Sequence, residues 1–227
     1  MLALHAARKA SVNIRKLPGT HRIIDVVRRL SYRMGSVTIA DFDEDLIITL
    51  DLSEHMASQI FWFGYYSRDV AVLLKDYLPA GGIFLDGGAN IGELTLLAAK
   101  RVGAAGRVIS FEPVEEIRKK LIQHIDWNKF GSIVSVREQG LSDQIGTHLM
   151  YGATTSYGDG SQHSGLGTIF PTDTRGSELG MIALTTIDRT VKDLNLTRLD
   201  GIKLDIEGAE LAAIREAPKQ SSDSSPG

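Results

Sequence analysis

The chain is 227 residues long, 43% hydrophobic and 23% charged, with no cysteine and a net charge of −3. These values fit one globular domain with a sizeable core, and they exclude disulfides and thiolate metal sites. No apolar run reaches the roughly 18 residues that cross a bilayer, and no apolar stretch of a secretory signal follows the N-terminal charges.

Charge is unevenly spread. Residues 1–33 hold eight basic side chains against one acid, Asp25, while the remainder carries a net −10. The basic residues between 8 and 33 suit peripheral contact with a membrane surface or a nucleic acid, or else a solvated helix face docked on the acidic domain. The lack of interleaved aromatics favours the docked face, and no nucleic-acid partner is expected. The chain divides into a basic helical extension (1–35), a main domain (36–217) and a polar tail (218–227), with a cytoplasmic location as the expectation.

Residues 1–19, with the breaker Pro18-Gly19, read as irregular. Ile23, Ile24, Val27 and Leu30 mark one face of a helix over 21–32, which Gly35 stops. Val37 to Ala40 and Leu46 to Leu50 read as a hairpin around the acidic turn Asp41–Asp45. Phe61, Trp62, Phe63, Tyr65 and Tyr66 form an aromatic stretch. Burial over the core is favoured there over a stacking surface for a ligand, because aromatics mostly supply burial. Ser67 is placed to cap a helix with Val70, Leu73, Leu74 and Tyr77 on its inner face.

From residue 82 strands and helices alternate. Strand 82–86 is followed by a helix carrying Ile91, Leu94, Leu97, Ala98 and Val102, strand 107–111, a helix over 114–127 and strand 133–136. This order predicts a parallel sheet with right-handed crossovers and helices on both faces. A strand at 148–151 leads into Gly152–Gly180, rich in Gly, Ser and Thr, which reads as a long functional loop. Met181 to Leu184 is predicted to pair back as a strand. Thr185 is predicted to cap a short helix with Ile187, Val191 and Leu194 inside. Strand 201–206 and a helix over 208–216 resume the alternation, and the last nine residues are a low-complexity tail.

The chemistry concentrates at FLDGGANIGE, residues 84–93. A strand, a glycine turn and a helix N-terminus offer free N–H groups and the positive end of a helix dipole. The spacing Asp86-x-Gly88-x-Asn90-x-Gly92 puts Asn where a dinucleotide fingerprint needs glycine for close approach of pyrophosphate. No Gly-Lys-Ser/Thr of a P-loop follows. An acid at the strand end suits an ammonium group, and a helix N-terminus suits a carboxylate. The methionine half of S-adenosylmethionine has both. Glu112, 24 residues after Gly88 and followed by Pro113, fits a ribose-binding acid. Asp143, with Ser142, could accept from an adenine amino group. These three acids end three successive strands, where open α/β sheets bind ligands.

In this order, FLDGGANIGELT, SFEP, GLSD, LTTID and IKLDIEGAE resemble the FkbM-type S-adenosylmethionine-dependent methyltransferases over roughly residues 37–216. The resemblance implies a Rossmann-like class I sheet. It implies methionine-moiety contacts from Asp86, Gly88, Ala89, Asn90, Gly92 and Thr95, ribose contact at Glu112 beside Pro113, and adenine contact from Ser142 and Asp143. It also implies O-methylation of a small-molecule hydroxyl acceptor, such as a sugar, glycolipid or secondary metabolite.

An alcohol acceptor must lose a proton, so a base is needed. Lys203, Asp205 and Glu207, with Glu210, cluster at the end of the fourth strand as catalytic candidates. If the chain is extended there, Asp205 and Glu207 share a face. Their competing role is to support the cofactor loop, with Glu207 also suited to a helix start. Two carboxylates are too few for a metal site, and none is expected. His148 and His163 are alternative bases. Against the family pattern, only strands in the order 3-2-1-4 are recognisable and the later strands are missing. Strand 202–206 is thus expected as an edge, covered by the N-terminal hairpin or by a partner. The alternatives are a truncated remnant that binds S-adenosylmethionine without catalysis and a nicotinamide-dependent oxidoreductase.

Overall fold

A computed structural model describes residues 2–14, 17, 19–156, 162–169 and 177–215. Its centre is a parallel sheet built from β3 (Ile83–Gly87), β4 (Arg107–Phe111), β5 (Val134–Arg137) and β10 (Gly201–Leu204), in the order β10-β3-β4-β5. Counted along the chain this is 3-2-1-4, the Rossmann-like class I arrangement. The strands are short and apolar because both faces are covered. Phe84 and Val108 point into one core layer with residues of α5 (Glu93–Val102) and α6 (Glu115–Trp127). Leu85, Ile109 and Phe111 point into the other, with Ile187 of α7 (Ile187–Asp193) and Ala213 of α8 (Glu210–Ile214).

Before the sheet come α1 (Leu2–Ile14), α2 (Thr20–Ser31), the hairpin β1 (Ser36–Phe42) and β2 (Leu46–Asp51), α3 (His55–Phe63) and α4 (Arg68–Tyr77). The expectation of irregular chain over 1–19 is corrected by α1. Its inner face mixes Leu4 with the buried polar Arg8 and Ser11, so no continuous apolar period marks it. Arg8 pairs with Asp41 at 2.6 Å and lies over the Phe61 ring, and the Ser11 hydroxyl donates to the Trp62 carbonyl at 2.9 Å. Phe61 and Trp62 are buried in the core, as the burial reading required.

The hairpin does not cover the β10 edge. It packs on α6, where Asn128 exchanges two hydrogen bonds with the backbone of Ile47. His124 ties the hairpin to the glycine loop, accepting from the Thr49 N–H at Nε2 (3.0 Å) and donating from Nδ1 to the Ile91 carbonyl (2.7 Å).

The second correction concerns 152–180. β7 (Gly146–Ser156) extends past the predicted strand, β8 (Gln162–Thr168) pairs antiparallel with it, and β9 (Ser177–Thr185) pairs with its other side. With β6 (Gly140–Leu141) they form a sheet ordered β6-β9-β7-β8. The segment β8, QHSGLGT, lacks apolar alternation. It is a strand because its backbone pairs with β7. Residues 157–161 and 170–176 of the expected loop, and the tail 218–227, lie outside the described residues. The cap of α7 is Thr186, whose hydroxyl accepts from the Arg189 N–H, and not Thr185, which still belongs to β9 and pairs with Leu141 of β6.

Candidate active site

The glycine loop leaves β3 beside the end of β4, and that proximity decides its hydrogen bonding. The N–H groups of Gly88 and Ala89 donate to the Phe111 carbonyl (3.1 and 2.9 Å), and that of Gly92 to the Ala89 carbonyl (3.0 Å). The Asn90 N–H donates to Glu112 Oε2 (2.9 Å) and the Ile91 N–H to Asn90 Oδ1 (2.7 Å). The free N–H groups expected over 88–92 are therefore spent inside the chain. The loop is a braced platform and not an open anion cradle. Asn90 has φ 52°, a left-handed conformation that Asn tolerates better than most residues, which explains its place in the turn. Gly88 has φ 72°, and a Cβ there would overlap the Asp205 carbonyl oxygen. Only glycine lets the loop and the end of β10 touch.

Lys203 fastens that contact. Its ammonium donates to the carbonyls of Gly87 (3.1 Å) and Gly88 (2.7 Å) and lies 3.3 Å from Asp86 Oδ1. Asp86 is fully buried; its Oδ2 accepts from the Thr95 hydroxyl at 2.6 Å, and Thr95 in turn meets the Ser110 hydroxyl at 2.8 Å. Asp86 Oδ1 has no hydrogen bond among the described residues.

A cleft of about 1050 Å³, its solvent-open part included, runs along these strand ends. Of the residues singled out in the sequence, Gly88, Ala89, Asn90, Glu112, Pro113, Lys203, Asp205 and Glu207 line it. Asp86, Gly92 and Thr95 are buried and do not line it. Ser142 and Asp143 follow the lining residues Gly140 and Leu141 without lining it themselves. The Ser142 N–H donates to the Thr185 carbonyl (2.9 Å) and its hydroxyl to Asp143 Oδ1 (3.2 Å). His148 is exposed and away from the cleft lining, and the His163 side chain is outside the described residues.

Glu112 is held by two backbone donors, Asn90 at Oε2 and Val114 at Oε1 (3.0 Å), and each oxygen keeps a further lone pair. Burial pushes its carboxyl above the usual range, opposed by those two N–H groups and by Lys203.

Past β10 the chain is not extended. Glu207 has φ 52° and Gly208 φ 97°, so Asp205 and Glu207 do not alternate as in a strand, which corrects the shared-face expectation. The helix-start role expected of Glu207 belongs to Glu210. Its carboxylate accepts from the N–H groups of Ile206 (2.9 Å) and Gly208 (3.0 Å). Burial pushes Glu210 upward, but the surrounding backbone N–H donors outweigh it and hold the group below its ordinary value. Glu207 is raised, first by burial and then by the Asp205 and Glu210 carboxylates. The Thr168 hydroxyl of β8 donates to the Glu207 carbonyl at 2.9 Å, linking this turn to the antiparallel sheet.

Sequence reasoning missed two parts of the cleft. One is the place of the antiparallel sheet in its wall: the unforeseen β8 joins the predicted strands at 148–151 and 181–184, and together they supply Met150, Gly167, Ile182 and Leu184. The other is Glu93. Its carboxylate reaches back to accept from the N–H groups of Tyr66 (2.7 Å) and Ser67 (3.1 Å), so Ser67 starts α4 without a side-chain cap of its own. Burial raises Glu93 to about 7. The available signal was an acid in the first turn after the glycine loop, which reads equally well as a dipole partner. Four acids, Glu93, Glu112, Asp205 and Glu207, and one base, Lys203, line the cleft.

A family model described as Methyltransferase FkbM domain matches residues 86–225. Among curated proteins, the AMB antimetabolite synthetase AmbE of Pseudomonas aeruginosa is 27% identical over 192 residues, covering 72% of this chain. The chain spans only 9% of that protein's length. Among solved structures, methyltransferase FkbM from Methylobacillus flagellatus is 22% identical with a TM-score of 0.37, over 59% of this chain and 28% of that one. A SAM-dependent O-methyltransferase from Thermotoga maritima is 16% identical with a TM-score of 0.31, over 52% and 62% of the two chains. The family model spans more than half of the sequence, and the chain belongs to the FkbM methyltransferase family.

Proposed function

We propose that this chain binds S-adenosylmethionine in the cleft and transfers its methyl group to a hydroxyl of a small molecule. The observation that carries the reading is the charge of the lining: four acids against one lysine, whose ammonium is already occupied by Asp86 and two loop carbonyls. A cationic ligand fits such a lining, and the pyrophosphate of a nicotinamide dinucleotide does not. Asp86, buried beneath the loop and paired with Lys203, fixes a negative charge under the methionine end, and the spare lone pairs of Glu112 are acceptors suited to the ribose hydroxyls of this cofactor.

In this reading Gly88, Ala89 and Asn90 carry the methionine end on the braced loop, supported from below by Asp86, Gly92 and Thr95. Glu112 and Pro113 hold the ribose, and Ser142 and Asp143 the adenine edge. The sulfonium supplies the activated methyl group, so the protein's task is alignment and proton removal. Glu207 is assigned as the base that takes the acceptor's hydroxyl proton, because its raised carboxyl is a stronger base than an ordinary one and it lines the cleft. Asp205 beside it helps to raise it. Lys203 is assigned to positioning, since it holds the loop carbonyls. The apolar wall of Met150, Ile182 and Leu184 covers the acceptor side.

Titrating S-adenosylmethionine and NAD separately into the purified chain by calorimetry tests this. Saturable binding of the first and not the second is expected; no heat from S-adenosylmethionine at millimolar concentration would sink the reading. Binding without turnover is the alternative, favoured by the β10 edge, which no strand among the described residues pairs and where Ile202 is exposed. Saturable binding with no labelled methyl transferred to a small-molecule extract would select it.

A further inference from the structure

Helix α2 turns Ile24, Arg28 and Ser31 into the protein and is fixed to α3 by the Trp62 indole N–H donating to the Ser31 hydroxyl at 2.9 Å. Its other apolar residues face away. On a helix of 3.6 residues per turn, Ile23, Val26, Val27 and Leu30, with Met34 just beyond, form a second apolar arc on the flank of the docked face, between it and the side opposite. That arc is bare: Ile23 is 64% exposed and Leu30 74%. Arg22, Arg29 and Arg33 are exposed along one border of it. The nearest acid, Asp25, is engaged with Arg28 (3.0 Å) and Arg29 (3.7 Å). Docking on the acidic domain, expected of the whole basic segment, is achieved by Arg8 through Asp41. Arg28 of α2 is buried in the docked face, and Arg22, Arg29 and Arg33 are exposed.

We propose that α2 lies in the interface of an anionic phospholipid bilayer, its apolar arc at the acyl boundary and Arg22, Arg29 and Arg33 among the headgroups. Two features of α2 point there. An outward apolar arc bordered by arginines is the pattern of helices that lie in the membrane plane. The charge then selects the occupant: three cations in a row complement an anionic surface, whereas a second copy of the chain would bring the same cations into its own interface. α3 connects this face to the cleft, because Met56 of the same helix lines the cleft. No helix among the described residues is long and apolar enough to cross a membrane, so the contact is peripheral.

The test is co-sedimentation of the full chain with vesicles of equal parts phosphatidylcholine and phosphatidylglycerol, and with phosphatidylcholine alone, without added cofactor. Binding to the anionic vesicles and much weaker binding to the neutral ones are expected. Each arginine near an anionic surface contributes roughly five-fold in partitioning, so R22Q/R29Q/R33Q should weaken binding on the order of 100-fold. V26S/L30S should weaken it by ten-fold or more through lost apolar insertion. All five positions are exposed, so both variants should keep the thermal midpoint of the parent. A chain that stays in the supernatant with anionic vesicles overturns the proposal. So does binding that survives V26S/L30S, and so does a dimer in the ultracentrifuge that V26S/L30S converts to monomer with no vesicle binding.

Discussion

Between Gly88 and Gly92 every backbone N–H is bonded within the chain, and Asp86 beneath the turn is buried. Across the cleft, between Asp205 and Gly208, the backbone is exposed and turns through a non-glycine positive φ at Glu207. Its Ile206 and Gly208 N–H groups rest on one partly exposed carboxylate, Glu210. One wall is braced before any ligand arrives; the other carries an acid raised by burial and by its neighbouring carboxylates. A braced wall suits a cofactor that is the same in every turnover. A titratable, lightly held wall suits proton transfer from an acceptor.

The largest effect should come from joining the two walls by force. Gly88→Val places a branched side chain at φ 72° against the Asp205 carbonyl, so it should cost more than about 4 kcal/mol and abolish cooperative thermal unfolding. A variant that melts like the parent would show that the loop and the end of β10 do not touch as described.

That contact was legible only in part. The loop and the acids at the strand ends follow from contiguous patterns of a few residues, and the order 3-2-1-4 follows from the family resemblance that those patterns carry. The apposition of Gly88 and Asp205 is a contact between distant segments, invisible in either alone. Strand β8 of the antiparallel wall was missed because HSGLGT has one large apolar residue, Leu166, and no β-branched alternation, and its strand exists through pairing with β7. Helix α1 was missed because the buried Arg8 and Ser11 break the apolar period of its inner face. Even FLDGGANIGE misled on one point: its turn N–H groups read as exposed donors, whereas the Phe111 carbonyl of β4, the Glu112 carboxylate and the loop's own Ala89 and Asn90 take them up.

Glu207→Gln is the sharper cut between the walls. Removing a general base costs about 10²- to 10⁴-fold in rate, so label transfer from methyl-tritiated S-adenosylmethionine to a small-molecule extract should fall by that much. In the parent, the same transfer should decline as pH falls through the raised carboxyl of Glu207, that is, from above the ordinary carboxylate range. A flat acid limb would remove Glu207 from the role.

Glu93 tests the braced wall by pH. Its folded value of about 7 lies above the unfolded one, so its contribution to stability is full below the unfolded value, near 4.5, and is lost as pH rises to about 7. The swing is roughly 3 kcal/mol. Thermal midpoints of the parent should therefore drop between these limits relative to Glu93→Gln, whose profile should be flatter. The smallest effect belongs to Glu210→Ala. It leaves the Ile206 and Gly208 N–H groups without their acceptor, costing about 1 kcal/mol as for a lost helix cap. It should also let the Glu207 carboxyl fall, since Glu210 is one of the charges that raise it.

The division of labour between the walls is tested most directly by calorimetric titration of S-adenosylmethionine into the parent, Glu112→Ala and Glu207→Gln. Hydrogen bonds to a charged group contribute about 1.5–3 kcal/mol, so Glu112→Ala should weaken binding at least ten-fold, while Glu207→Gln should bind as the parent does. Equal binding by Glu112→Ala and the parent, or equal losses in both variants, would contradict the account.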